Sequence, residues 1–273
     1  MGIGTVGPHP DLTEQEGPVF SSPLREDTMA SPRFRIPSPF LSWSGILTTL
    51  LLGLSTPGVA GQTTFTVTTT NDADDGTCNA FHCSLREAIT AANHTEGGAL
   101  IAFNIPGSGP HTIRPTSALP DIEESITLDG TTEPDYEGTP VIELDGTGAG
   151  PNNGLNVVLS NNTIRGLTIN RFESNGIQIH ADAANNVIEG SFIGTDVTGS
   201  MALGNGNAGI LIGQAPDNTI GGTDPGSRNV ISGNIEGITI ADAPATNNVI
   251  MGNYIGTNAT GDAAIPNNVG VLV

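Results

Sequence analysis

The sequence predicts an all-β chain coiled into a parallel β-helix, and three observations carry that expectation. The first is composition. Of 273 residues, 37 are Gly and 19 are Pro, well above the roughly 7% and 5% of ordinary globular chains. Helices avoid both residues, whereas tight turns between short strands use them. The second is a recurring phrase, Asn-(Thr/Val)-Ile-x-Gly, at residues 162–166, 186–190, 218–222, 229–233 and 248–252, interleaved with Gly-(Ile/Val)-x-(Ile/Val) at 176–179, 209–212, 237–240 and 270–273. The third is a longer unit. Asn185-Asn186-Val187-Ile188-Glu189-Gly190-Ser191-Phe192-Ile193-Gly194 returns 62 residues later as Asn247-Asn248-Val249-Ile250-Met251-Gly252-Asn253-Tyr254-Ile255-Gly256. Repetition of this kind marks a stacked array. A β-propeller or sandwich needs longer alternating runs.

Taken from the N-terminus, residues 1–28 are polar and rich in Pro and Gly, and end just before a second methionine, Met29. They read as an upstream extension, with translation starting at Met29. Residues 29–61 have the layout of a signal peptide: Arg33 and Arg35, the apolar stretch Ile46 to Leu54, then Pro57-Gly58-Val59-Ala60-Gly61. That stretch is too short and too interrupted to span a bilayer. The chain is therefore expected to be secreted or held at the cell surface, and not to be a transmembrane protein once the signal is removed.

The segment 62–120 is expected to form an N-terminal cap with the first strands. Cys78 and Cys83 enclose a short loop and suit a local disulfide in an exported chain. With only His82 nearby, the pair falls short of a four-ligand zinc site. Upstream, Asn71-Asp72-Ala73-Asp74-Asp75-Gly76 is rich in oxygen donors, so Asp72, Asp74 and Asp75 are the calcium candidates, although the spacing departs from the EF-hand loop. Ser84 to Asn93 is expected to be one short helix. Ser84 and Glu87 make a capping box, and Leu85, Ala88, Ile89 and Ala92 share an apolar face.

Residues 121–273 are expected to be the repeats. Each phrase is a strand of three to five residues with β-branched side chains at alternate positions. Coiling would place each strand about 4.8 Å from its equivalent one turn on, with the inward Ile and Val in columns. The 62-residue interval then divides into three coils of about 21 residues. Asn tolerates a left-handed corner and can hydrogen-bond up a ladder of its own kind. The chain stops inside a repeat phrase at Gly270-Val271-Leu272-Val273, an arrangement expected of a sequence truncated at its C-terminus.

The run Thr77-Cys78-Asn79-Ala80-Phe81-His82-Cys83-Ser84-Leu85-Arg86-Glu87-Ala88-Ile89 resembles the signature of the CSLREA domain, found near the N-terminus of exported bacterial proteins. The chain downstream of it, including Leu128-Asp129-Gly130-Thr131-Thr132 and Pro140-Val141-Ile142-Glu143-Leu144-Asp145-Gly146, resembles the parallel β-helix (PbH1) repeats of the pectin-lyase-like superfamily. The resemblance covers about residues 63–273. It implies a right-handed solenoid on an exported or surface protein, and the helix expected at Ser84 to Asn93 can cover the open end of such a coil. It does not imply an activity, since that superfamily includes lyases, hydrolases and adhesins.

Chemistry is sparser. The net charge is −20 and the sequence contains no Lys, which excludes an ordinary nucleic-acid binder. A polysaccharide lyase needs a cationic base and a charge sink, and beyond residue 61 only Arg86, Arg114, Arg165, Arg171 and Arg228 are available. A hydrolase would group carboxylates, and Asp129 and Asp145 share one Leu-Asp-Gly phrase, but Asp before Gly is a turn signal. No catalytic residue is assigned. The Gly-rich stretch 204–209 lacks the Lys and the helix of a phosphate loop, so no nucleotide or redox cofactor is expected. The expectation is an exported, acidic scaffold that contacts polysaccharide or another cell-envelope component, with a pectate-lyase-like enzyme as the alternative.

Overall fold

A computed structural model describes residues 62–273. The expected upstream extension (1–28) and signal peptide (29–61) lie outside the described residues. Among these residues eighteen short strands are shared among three parallel sheets, which the chain visits in strict rotation from Ile126 onward. The first sheet holds β1 (Thr63–Val67), β2 (Ala99–Phe103), β4 (Ile126–Asp129), β7 (Thr163–Arg165), β10 (Val187–Glu189), β13 (Thr219–Gly221) and β16 (Val249–Met251). The second holds β3 (His111–Ile113), β5 (Ile142–Asp145), β8 (Leu167–Asn170), β11 (Phe192–Ile193), β14 (Val230–Ile231) and β17 (Tyr254–Ile255). The third holds β6 (Leu155–Val157), β9 (Ile177–Ile179), β12 (Ala208–Gly213), β15 (Glu236–Ala241) and β18 (Val269–Leu272). This is an all-β, parallel solenoid-like architecture.

The register explains the sequence pattern. In the first sheet Ile101, Leu128, Ile164, Ile188, Ile220 and Ile250 stack as one column. In the second, Ile113, Leu144, Ile169, Ile193, Ile231 and Ile255 do the same. The third stacks Leu155, Ile177, Ile210, Ile238 and Val271. All but Ile250, Ile255 and Val271 are fully buried, and each buried one contributes on the order of 1.5–3 kcal/mol by leaving water. No strand here would be stable alone, so the columns hold the fold together.

Coil length differs from the expectation. Asn186 bonds to Asn218 across 32 residues and Asn218 to Asn248 across 30, so the 62-residue repeat contains two coils and not three of about 21. In the first of these coils the extra length goes into an excursion from the second sheet, and in the second into the loop 222–229, with a 3-10 turn at Pro225–Ser227. Residues Thr195 and Ala202 form one antiparallel bridge, and Thr257 and Ala264 form its counterpart. The two excursions stack, with the Ala259 amide donating to the Gly199 carbonyl at 2.9 Å.

The Asn residues divide their labour. In the doublets 161–162, 185–186 and 247–248 the first Asn takes the left-handed conformation, at φ 66°, 58° and 58°. The second accepts a backbone N–H from the preceding coil: Ile126 to Asn162, Asn162 to Asn186, Asn186 to Asn218 and Asn218 to Asn248, all at 2.7–2.9 Å. Asp217 takes the left-handed role before Asn218. The phrase at Asn229 belongs elsewhere: its strand is β14, in the second sheet.

Helix α1 (Leu85–Asn93) has the expected capping box. The Ser84 side chain accepts from the Glu87 amide, and the Glu87 carboxylate accepts from the Ser84 amide. Its apolar face packs on β1 and β2. Cys78 and Cys83 form a disulfide just before it. Among the described residues, no helix is long and apolar enough to cross a membrane.

Candidate functional site

The two Leu-Asp-Gly phrases end β4 and β5, so Asp129 and Asp145 sit in different sheets. Each closes the following turn by accepting from a Thr two residues on: Asp129 from the Thr131 amide at 3.0 Å and hydroxyl at 2.6 Å, Asp145 from the Thr147 amide at 3.1 Å and hydroxyl at 2.5 Å. Their second oxygens meet arginines. Asp129 pairs with Arg165, and Asp145 with Arg114 at 2.8 Å, while Arg171 reaches the first Asp145 oxygen at 2.9 Å. Burial alone would raise both carboxyl pKa values. The hydroxyl, amide and guanidinium partners outweigh it and hold both below the ordinary range.

The pairs extend into a network that short-range sequence spacing does not reveal. Glu143, almost wholly buried, accepts from Thr112, Asn170 and Arg171 at 2.7, 2.9 and 3.0 Å. It sits directly beneath Thr168 in the register of β5 and β8, so stacking, invisible without the coil length, brings these residues together.

The remaining arginines are also engaged. Arg86 bonds Asp72 at 2.9 Å and the carbonyl oxygens of Ser117 and Ala118. Arg228 lies 4.2 Å from the centre of the Tyr254 ring and donates to the Gly252 carbonyl. None of the five arginines beyond residue 61 is placed as an unengaged base.

The calcium candidates do not converge. Asp72 turns toward Arg86 and accepts from both the amide and hydroxyl of Thr116 at 2.8 Å. Burial would raise its pKa, and these partners bring it below the ordinary value. Asp74 accepts from the Gly76 amide within its own turn. Asp75 instead joins two residues from farther along the chain. Its free oxygen lies 3.6 Å from His82 Nδ1, and the buried Glu87 carboxylate lies 3.1 Å from the same nitrogen. Among the described residues these three form the cluster of His and carboxylate groups compact enough to share one ion. The capping-box pattern accounts for only one role of Glu87, which serves both the helix cap and this cluster.

Beside the second sheet an open cleft of about 570 Å³ is lined by Pro110, Asp135, Glu137, Pro140, Val197 and Thr198. A smaller hollow shares its Thr139–Pro140 wall and continues past Tyr136 and Phe192 to Arg228. Together they make a furrow walled by Pro110, Pro140, Val197, Tyr136 and Phe192, with Asp135, Glu137 and the ring-stacked Arg228 among its polar groups. The stacked excursions supply Val197, Thr198 and Ala259 to its sides.

No protein-family model matches the chain. No curated protein is detectably similar to it in sequence.

Proposed function

We propose that the chain is an exported or cell-surface scaffold, a right-handed coil with α1 over its open end, that contacts carbohydrate or another cell-envelope component without turning it over. The observation that carries this reading is the contrast between the charged groups and the furrow. The arginines and the two Leu-Asp-Gly carboxylates are engaged in holding coils and turns together, whereas the furrow beside them is open and walled by Pro, Val, Thr, Tyr and Phe. Sugar-binding surfaces combine apolar platforms with a few polar groups in this way. The right-handed sense accords with the general preference for parallel crossovers. Export is supported by the signal-like layout of residues 29–61 and by the disulfide. With a net charge of −20, the preferred partner is a neutral or cationic polymer, since an anionic one is repelled unless a divalent cation intervenes.

Glycan-array and cell-wall pull-down measurements test this. Binding without turnover is expected, and Val197→Arg, which fills the furrow, is expected to reduce it at least tenfold while the circular dichroism stays unchanged. Absence of binding to any wall polysaccharide would overturn the contact reading. Incubation with polygalacturonate and calcium separates the enzyme alternative: release of unsaturated products would establish a pectate-lyase-like activity.

A further inference from the structure

We propose that Asp75, His82 and Glu87 form a binding site for a divalent transition metal of the Zn²⁺ class, with water completing the coordination. The imidazole orientation carries the argument. Asn71 Oδ1 accepts the Ala73 amide at 3.1 Å, which identifies that atom as an oxygen acceptor. His82 Nε2 lies 3.2 Å from the same oxygen and so must be the protonated nitrogen. The other nitrogen, Nδ1, faces two carboxylates, Glu87 at 3.1 Å and Asp75 at 3.6 Å. Nδ1 is buried and without a hydrogen-bond partner. A bound metal ion would give this nitrogen and both carboxylates one shared partner.

The spacing suits such an ion. Ligands about 2.0–2.1 Å from a tetrahedral Zn²⁺ lie roughly 3.3–3.5 Å from one another, and the measured separations of 3.1 and 3.6 Å bracket that edge. A nitrogen ligand and only three protein donors favour zinc-like ions over calcium, which takes six to eight oxygens. The surroundings are also braced. The Glu87 carboxylate accepts from the Asp75 amide at 2.7 Å and the Ser84 amide at 2.8 Å. The second Asp75 oxygen accepts from Thr77, and the Cys78–Cys83 disulfide fixes the loop that carries His82. Asn71 orients the ring as outer-shell partners of metal-bound imidazoles do. A cleft of about 450 Å³, lined by Asp74, Glu87, Thr90 and His94, opens beside Glu87 and gives solvent a way in.

Calorimetric titration of Zn²⁺ into the purified, metal-stripped full chain tests the site. One tight equivalent is expected. His82→Ala should lose it at least 100-fold, and Asn71→Ala should weaken it about 10–100-fold. Glu87→Gln retains a side chain able to serve the capping box and should also bind at least tenfold more weakly. NMR of the wild-type imidazole gives a readout independent of any variant: coordination shifts the His82 Nδ1 resonance on adding Zn²⁺. An unmoved Nδ1 resonance, or Zn²⁺ binding of equal strength in wild type and His82→Ala, would overturn the proposal and leave a protonated His82 bridging the two carboxylates.

Discussion

Asn218 shows what one side chain does in this chain. Its Oδ1 accepts both the amide and the side-chain Nδ2 of Asn186, and its own Nδ2 donates to the Pro216 carbonyl. Asn218→Ala strands these buried groups, at about 1–3 kcal/mol each, so a fall in melting temperature of several degrees is expected. Two glycines of the long repeat make a sharper pair. Gly252 and Gly256 both have positive φ, 69° and 81°, so either alanine variant carries strain of about 1–2 kcal/mol. A Cβ on Gly252 would also lie 2.0 Å from the Gly222 carbonyl oxygen, whereas at Gly256 the nearest atom is 3.8 Å away. Denaturant melts should therefore rank Gly252→Ala as the more damaging. Asp145→Asn should cost about 1.5–3 kcal/mol at neutral pH by weakening charge-assisted bonds. Because this carboxyl titrates lower in the folded chain than in the unfolded one, its stabilisation is complete above the ordinary value near 3.8 and fades as the pH falls through the folded value. The difference between wild type and variant should shrink in acid accordingly. The roles of these residues were only partly legible in the sequence. The recurring Asn suggested both a corner and a ladder, but the doublets assign those roles to different neighbours.

Local elements are more legible in the sequence than distant ones. Ser84 and Glu87 are three residues apart, and Cys78 and Cys83 five, so their contacts come from short-range geometry. Asp72, Asp74 and Asp75 are equally close in sequence, yet they diverge because the loop bends back on α1 and each finds a different partner. The site around His82 needs that tertiary bend, so spacing alone could not reveal it. Coil length differs from the expectation for a related reason: the excursion at 195–202 and the loop at 222–229 add residues without adding a strand to any of the three sheets. At this scale the disulfide makes a measurable contribution. Closing so small a loop stabilises by about 2 kcal/mol in the chain-entropy account, and reduction under native conditions should lower stability by that amount. Hydrogen exchange should detect the effect first in α1 and β1.

Across the whole molecule, stability is a sum over coils and the contacts between them. Truncating the column at its middle, Ile188→Ala, is expected to cost about 2–5 kcal/mol and to raise exchange in β7 and β13, the strands stacked on either side of β10. The three columns were foreseeable because their β-branched residues recur in fixed phrases. The Glu143 network was not, since its members come together only after the coils are stacked. The ladder of Asn side chains has a further consequence. Successive rungs, Asn162, Asn186, Asn218 and Asn248, are separated by 24, 32 and 30 residues, yet each rung advances the stack by one strand spacing, about 4.8 Å. The chain is thus graduated like a ruler whose marks are set by amide side chains and not by residue count. Loops between marks are free to lengthen, shorten or change their chemistry while every point along the axis keeps its distance from the next.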